Sequence, residues 1–79
     1  MPQTDAEEDK VLACFGRNVR SHRKKLGISQ EELAAEAGLD RAYMGGVERG
    51  ERNLGLLNVA RIAKALDVAA SKLCEGIDA

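Results

Sequence analysis

The chain has 79 residues and a formal net charge of −1, which is room for one small hydrophobic core and too little for a domain with a catalytic insert. Trp is absent and Phe and Tyr occur once each, so the core must be aliphatic. No stretch alternates apolar and polar residues as a half-buried strand does. We therefore predict an all-α protein, a compact five-helix bundle that forms a single domain over residues 1–79.

The first predicted helix runs from Asp5 to Leu26. Thr4 and Glu7 have the spacing of a capping box, and apolar residues recur along one helical stripe. Gly27 is expected to end this helix. Residues 1–9 form an acidic N-terminal extension, which either lengthens the helix or frays from it.

The charge of the chain is unevenly placed. Four Asp or Glu residues lie within residues 1–9, whereas residues 10–61 carry ten Lys or Arg against six Asp or Glu. Screening limits charge interactions to about 8 Å at physiological salt, so a bound polyanion responds to the local field rather than to the net charge. The low net charge therefore does not exclude nucleic acid as a partner.

Residues 29–49 have the pattern of two short helices joined by a tight turn. Ser29 and Glu32 form a capping box at the start of the first helix. Gly38 reaches the left-handed conformation that ends it, and the carboxylate of Asp40 is expected to cap the next helix. Two helices joined by so little chain must cross steeply with their apolar faces in contact, which describes a helix-turn-helix.

Two further helices are predicted after a surface loop over residues 50–55. The fifth is short and lies around residues 70–75. The fourth is densely apolar, and we expect it to form the centre of the core through Leu56, Val59, Ala60, Ile62, Ala63 and Leu66.

Several separated motifs lie along the chain: SQEELA at residues 29–34, Ala34, Gly38, VERGERN at residues 47–53 and RIAKALDV at residues 61–68. Over roughly residues 16–73 these motifs resemble the Xre-like, phage-repressor-type helix-turn-helix family. Residues 39–54 are particularly similar to controller proteins of restriction-modification systems. The resemblance implies the phage-repressor DNA-binding fold, here with a first helix extended by about two or three turns.

The second helix of a helix-turn-helix enters the DNA major groove N-terminus first. Arg41 is predicted to donate two hydrogen bonds to a guanine, with a phosphate contact as the alternative. Ala42 is predicted to meet a thymine methyl group, and Tyr43 either contacts DNA or packs. Arg52 is the fourth candidate for base reading, because it resembles a loop arginine of controller proteins.

Gly45 and Gly46 are unusual inside a helix, where each costs about 1 kcal/mol relative to alanine. Two functional explanations are open. Either the helix backbone approaches DNA very closely, or base reading shifts toward Arg41 and Arg52. The alternative is a surface position under little constraint.

Phosphate contacts are expected from Gln30 at the start of the second helix, where free N–H groups form an anion site. Arg49, Asn53 and Arg17 are the other predicted phosphate-binding residues.

The family pattern pairs Arg23 with Glu48. A carboxylate on a groove-facing helix would repel phosphate unless it is directed inward, and a cation on the inner stripe of the first helix needs a partner. We therefore predict a structural ion pair between them.

One small helix-turn-helix buries too little surface to select a single operator from a genome. We expect a homodimer on a palindromic operator, with recognition helices about 34 Å apart. The predicted interface is Val68, Leu73, Cys74 and Ile77, and the extended first helix is the rival interface.

Cys14 and Cys74 do not have metal-ligand spacing, and we expect free thiols in a reducing cytoplasm, since no signal peptide or membrane-spanning run is evident. No metal, cofactor, membrane or small-molecule substrate is expected.

The leading function is a sequence-specific regulator that binds double-stranded DNA. The alternative is a protein-interaction module such as an antitoxin. The sequence contains no paired nucleophile and base, so an enzyme is not expected.

Overall fold

The computed structural model describes residues 5–78, and these residues form five helices and no strand. The all-α prediction is confirmed, as is the extended first helix. Thr4, which belongs to the first predicted capping box, lies outside the described residues. The helices are α1 (Asp5–Leu26), α2 (Gln30–Ala37), α3 (Arg41–Glu48), α4 (Leu56–Leu66) and α5 (Ala70–Leu73).

Local signals set the ends of α2 as predicted. Ser29 Oγ accepts a hydrogen bond from the Glu32 backbone N–H at 3.0 Å, and the Glu32 carboxylate accepts one from the Ser29 N–H at 2.8 Å. Gly38 is left-handed, with φ at 72°. Asp40 precedes α3 in an extended conformation, but its carboxylate makes no capping hydrogen bond, so that prediction is wrong.

The core is aliphatic apart from one Phe ring, and every helix contributes to it. α2 packs against both α3 and α4, while α1 packs along α3. Full burial of one Leu, Ile or Met side chain stabilises the fold by about 1.5–3 kcal/mol. The buried apolar residues are Phe15, Val19, Leu33, Ala34, Ala37, Met44, Val47, Ile62, Ala63, Leu66 and Leu73.

The apolar surface of α4 is wider than the face that the core covers. Ile62, Ala63 and Leu66 are buried as predicted, but Leu56 is 82% exposed and Ala60 is also exposed. These two residues lie to one side of the buried stripe, beyond the reach of the other helices. Their assignment to the core was wrong.

α1 and α3 touch backbone to backbone at Gly16. A Cβ atom added there would overlap the carbonyl oxygen of Val47 and would lie 2.7 Å from that of Glu48. No other residue type fits without moving the helices apart. This contact aligns α1 with the C-terminal end of α3.

The loop after α3 also rests on α1. Gly50 has a φ of 77°, and a Cβ on it would lie 2.8 Å from the Cα of Ala13. Both the left-handed backbone and the close approach require glycine here. The loop that follows α3 therefore has a fixed starting point.

The C-terminal segment is held on α1 by side-chain hydrogen bonds. Asn18 Nδ2 donates to the carbonyl oxygens of Leu73 at 2.8 Å and Glu75 at 2.9 Å. The thiol of Cys14 also donates to the Glu75 carbonyl, at 3.2 Å. These bonds satisfy carbonyl groups at the end of α5, a helix too short to be stable alone.

Candidate nucleic-acid interface

A buried ion pair joins the last residue of α3 to α1. Arg23 Nε donates to Glu48 Oε2 at 2.7 Å, and Arg23 Nη2 donates to Glu48 Oε1 at 3.0 Å. The two side chains are 12% and 3% exposed. The predicted pairing of these residues is present in the structure. The hydrogen bond to Glu48 raises the pKa of Arg23, so the guanidinium stays charged.

Two further hydrogen bonds complete this cluster. Gln30 Nε2 donates to Glu48 Oε1 at 2.9 Å, and Arg23 Nη1 donates to the Ile28 carbonyl at 2.9 Å. The cluster therefore connects α1, the start of α2 and the end of α3. Gln30, which we predicted to bind phosphate, uses one amide N–H for this internal contact.

The N-terminal end of α3 is open. Arg41 and Ala42 are both exposed, whereas Met44 and Val47 on the opposite side are buried. The negative charge of Glu48 is confined to the other end and faces inward. An anion that approaches the start of α3 therefore meets a guanidinium and free helix N–H groups.

The space beside Gly45 and Gly46 is filled by arginine side chains from the following loop. A Cβ on Gly45 would lie 3.2 Å from Arg49 Nη1, and a Cβ on Gly46 would lie 3.0 Å from Arg52 Cγ and 3.1 Å from Arg52 Nε. Both glycines are consequently buried. Of the three explanations that the sequence left open, this burial excludes the surface position under little constraint, and the other two remain predictions.

The ring of Tyr43 supports the Arg52 guanidinium. Arg52 Cζ lies 5.5 Å from the ring centroid, within the range of a cation–π contact. The Tyr43 hydroxyl oxygen accepts a hydrogen bond from Asn58 Nδ2 at 3.3 Å, and Asn58 Oδ1 accepts one from Arg61 Nη1 at 3.0 Å. Asn58 and Arg61 are not among the residues predicted from the sequence, although their spacing of one helical turn on α4 indicates that they can contact each other.

Arg49 already has a partner on its own loop. Its Nη2 lies 3.1 Å from Glu51 Oε1, and both side chains are more than half exposed. The hydrogen bond between them raises the pKa of Arg49 and lowers the pKa of Glu51. A phosphate bound by Arg49 would compete with this carboxylate.

The other two predicted phosphate-binding residues, Arg17 and Asn53, are exposed. Asn53 lines a groove together with Glu8 and Asp9 of α1. The acidic turns of α1 therefore lie beside the loop that carries Asn53. Their carboxylates lower the local attraction for a polyanion.

One residue of the predicted dimer interface is not at the surface. Leu73 is fully buried within the protomer, so its assignment to the interface was wrong: it fills the core and offers no area to a partner. Val68 and Ile77 are half-buried and Cys74 is exposed. The most exposed large apolar side chains among the described residues are Leu56 and Leu57, at 82% and 71%.

Cys14 and Cys74 are free thiols. Among residues 5–78 there is no group of three or more His, Cys, Asp or Glu side chains that is arranged to hold a metal ion. None of the helices within this range is long and apolar enough to cross a membrane.

The chain matches a protein family whose defining feature is the pair of helices formed here by α2 and α3. A model described as helix-turn-helix matches residues 19–73, more than half of the chain. The protein belongs to this helix-turn-helix family.

Individual relatives are regulators and control proteins. The Neisseria hypothetical transcription factor of Neisseria meningitidis serogroup B is 42% identical over 73 residues, which cover 92% of this chain and 69% of the relative. Control protein C.SmaI of Serratia marcescens is also 42% identical over 73 residues, covering 92% of this chain and 87% of the relative.

A solved structure agrees with these sequence matches. The crystal structure of the restriction-modification controller protein C.AhdI from Aeromonas hydrophila superposes with a TM-score of 0.77 at 50% identity. The match covers 78% of this chain and 94% of that one.

Proposed function

We propose that the protein is a sequence-specific transcriptional regulator of the restriction-modification controller type, and that residues 1–79 act as one DNA-binding domain. Helix-turn-helix regulators bind DNA. The observation that carries the proposal is the polarity of α3: Arg41 is exposed at its leading end, while Glu48 is neutralised inside the protein by Arg23.

In this proposal the roles of the side chains follow from their placement. Arg41 donates to a guanine and Ala42 faces a thymine methyl group, while Tyr43 and Arg52 complete the base-reading set. Phosphates bind the N-terminus of α2, the half-buried Gln30 and the exposed residues Arg17, Arg49 and Asn53, with Arg49 exchanging Glu51 for a phosphate oxygen.

We further propose that the regulator binds a palindromic operator as a homodimer in the cytoplasm. The partner surface comprises the exposed pair Leu56 and Leu57 together with Val68, Cys74 and Ile77. Two adjacent leucines in water favour burial against a second copy, because such burial gains about 25 cal/mol per Å² of apolar surface. A dimer also doubles the number of base contacts, which a single small module needs for selectivity.

Selection of bound sequences from a random pool of double-stranded DNA tests the function. We expect a palindromic consensus, and we expect Arg41→Ala to lose preference at one symmetric base pair by about 1–3 kcal/mol. Lys25→Ala is the matched control, because Lys25 is an exposed cation on the side of α1 opposite Arg23. If the parent protein enriches no sequence, the proposed function is wrong.

Sedimentation velocity tests the dimer. We expect a dimer at micromolar concentration and a shift to monomer in Leu57→Lys. Leu26→Lys serves as the control, since Leu26 is a 51% exposed leucine on another helix. A parent protein that sediments only as monomer would remove the dimer from the proposal.

A further inference from the structure

Gly46 leaves a gap on the surface of α3, and Arg52 lies in it. The Cγ and Nε atoms of Arg52 lie 3.0 Å and 3.1 Å from the place where a Cβ on Gly46 would stand. A side chain from the loop thus occupies the position that a residue of the helix itself would otherwise take. A side chain at position 46 would push Arg52 aside, by a few tenths of an ångström in the case of the alanine methyl group.

The far end of Arg52 is held as well. Its guanidinium lies 5.5 Å from the centroid of the Tyr43 ring, and the Tyr43 hydroxyl accepts a hydrogen bond from Asn58 on α4. Arg61 donates to the other end of the Asn58 amide, which fixes the direction in which that amide points. The Arg52 side chain therefore packs against α3 at Gly46, and its guanidinium lies beside Tyr43, which is hydrogen-bonded to Asn58 of α4.

Arg49 and Arg52 differ in whether the guanidinium group already has a carboxylate partner. Arg49 is paired with the carboxylate of Glu51 at 3.1 Å, whereas no carboxylate among the described residues lies within 4.0 Å of Arg52. With no carboxylate partner, the N–H groups of the Arg52 guanidinium remain available beside the Tyr43 ring, whose centroid lies 5.5 Å from Arg52 Cζ. Those N–H groups are the ones that pair with guanine O6 and N7.

We propose that Gly46 and Asn58 are specificity-determining positions that act through Arg52. Gly46 provides the space in which Arg52 lies along α3 as if it were a side chain of that helix, and Asn58 fixes the Tyr43 ring on which the guanidinium rests. The partner is the major-groove edge of one base pair. This inference rests on the proposed DNA-binding function and adds two positioning residues that do not themselves contact a base.

Selection from a random DNA pool with four proteins tests the role of Gly46: the parent, Gly46→Ala, Arg52→Ala and the double variant. We expect Gly46→Ala and Arg52→Ala to lose preference at the same symmetric base pair, each by about tenfold. In the double variant we expect no further loss, because the alanine acts only by displacing Arg52.

Gly45→Ala is the matched control. It adds the same methyl group one residue earlier, next to Arg49 Nη1 at 3.2 Å, so it should weaken binding to all sequences alike and leave the base preference unchanged. Alanine favours a helix over glycine, and the atoms near position 46 belong to a flexible side chain. Gly46→Ala should therefore fold, which its circular dichroism and unfolding midpoint verify.

A second cycle tests Asn58. We expect Asn58→Ala to reduce the preference at the Arg52 base pair by about two- to fivefold, and to have no effect in a Tyr43→Phe background, which lacks the hydroxyl acceptor. Losses that add in the Asn58 cycle would mean that Asn58 affects base preference by a route other than the Tyr43 hydroxyl, which contradicts its positioning role.

The outcomes separate the two proposals. If the parent selects an operator and folded Gly46→Ala retains its preference, the inference is wrong and the proposed function stands. Additive losses from Gly46→Ala and Arg52→Ala also overturn the inference. A parent protein that selects no sequence overturns both.

Discussion

Gly16 and Gly46 both lie in tight contact with another part of the molecule, but they meet different kinds of neighbour. Gly16 of α1 faces backbone carbonyls at the end of α3, whereas Gly46 of α3 faces the side chain of Arg52. Backbone atoms move only if a helix moves, while an arginine side chain can rotate away. The inner side of α3 is therefore fixed by the fold, and its outer side can be changed without unfolding the protein.

The largest effect should come from the ion pair on the inner side. Arg23→Met leaves the carboxylate of Glu48 buried without its cation, which should lower the free energy of unfolding by about 3–5 kcal/mol. Urea unfolding measures it, with Lys24→Met as a control at an exposed cation of the same helix. A variant as stable as the parent would show that the pair does not lock α1 to α3.

The two glycines themselves give the next test. Gly16→Ala forces α1 away from the backbone of α3, and we expect a loss of about 3 kcal/mol. Gly46→Ala should be neutral or stabilising by up to about 1 kcal/mol, since it gains helix propensity and displaces only a side chain. Thermal and urea unfolding compare the two variants. Equal losses would remove the distinction between a fixed inner side and an adjustable outer side.

A smaller loss is expected where α1 holds the C-terminal segment. Asn18→Ala leaves the carbonyl oxygen of Leu73 without its side-chain donor and that of Glu75 with the Cys14 thiol alone, and the free energy of unfolding should fall by about 1–2 kcal/mol. Limited proteolysis should show earlier cleavage after α5. Asn53→Ala is the control, because it removes an exposed asparagine and should not change the stability. A similar loss of stability in both variants would mean that the hydrogen bonds of Asn18 do not hold the C-terminal segment.

The smallest effect concerns the acidic turns of α1 beside the loop. Neutralising both carboxylates with Glu8→Gln and Asp9→Asn should strengthen DNA binding about twofold at low salt, because it removes repulsion of the phosphates. The gain should disappear near 1 M salt. Asp67→Asn, at the end of α4, changes one charge away from that groove and should leave affinity unaltered. A gain that persists at high salt would exclude an electrostatic cause.

The parts of the fold that sequence predicted are those set by a few neighbouring residues. The capping box at Ser29 and the left-handed Gly38 depend on contacts within one helical turn, so both can be predicted from a few neighbouring residues. The partnership of Arg23 with Glu48 spans 25 residues and came instead from the family resemblance, supported by the need to neutralise two inward-facing charges.

The remaining features depend on how distant elements meet. Leu56 is as apolar as Leu66, and only the path of the neighbouring helices decides that one is exposed and the other buried. Leu73 was assigned to an interface because its place in the core is visible only in three dimensions. The placement of Arg52 beside Gly46 depends on the path of the loop after α3, and hydrophobic periodicity does not predict the path of a loop.

The contact between Gly50 and Ala13 connects α1 to the loop that carries Arg52, the residue proposed to read a base. The loop that carries Arg52 starts from a point resting on α1, so a tilt of α1 is transmitted to the loop. The acidic first turns of α1, which precede Ala13, would move together with the rest of the helix. If Arg52 reads a base as proposed, a ligand-responsive domain joined ahead of Asp5 that tilted α1 would make operator choice depend on that ligand.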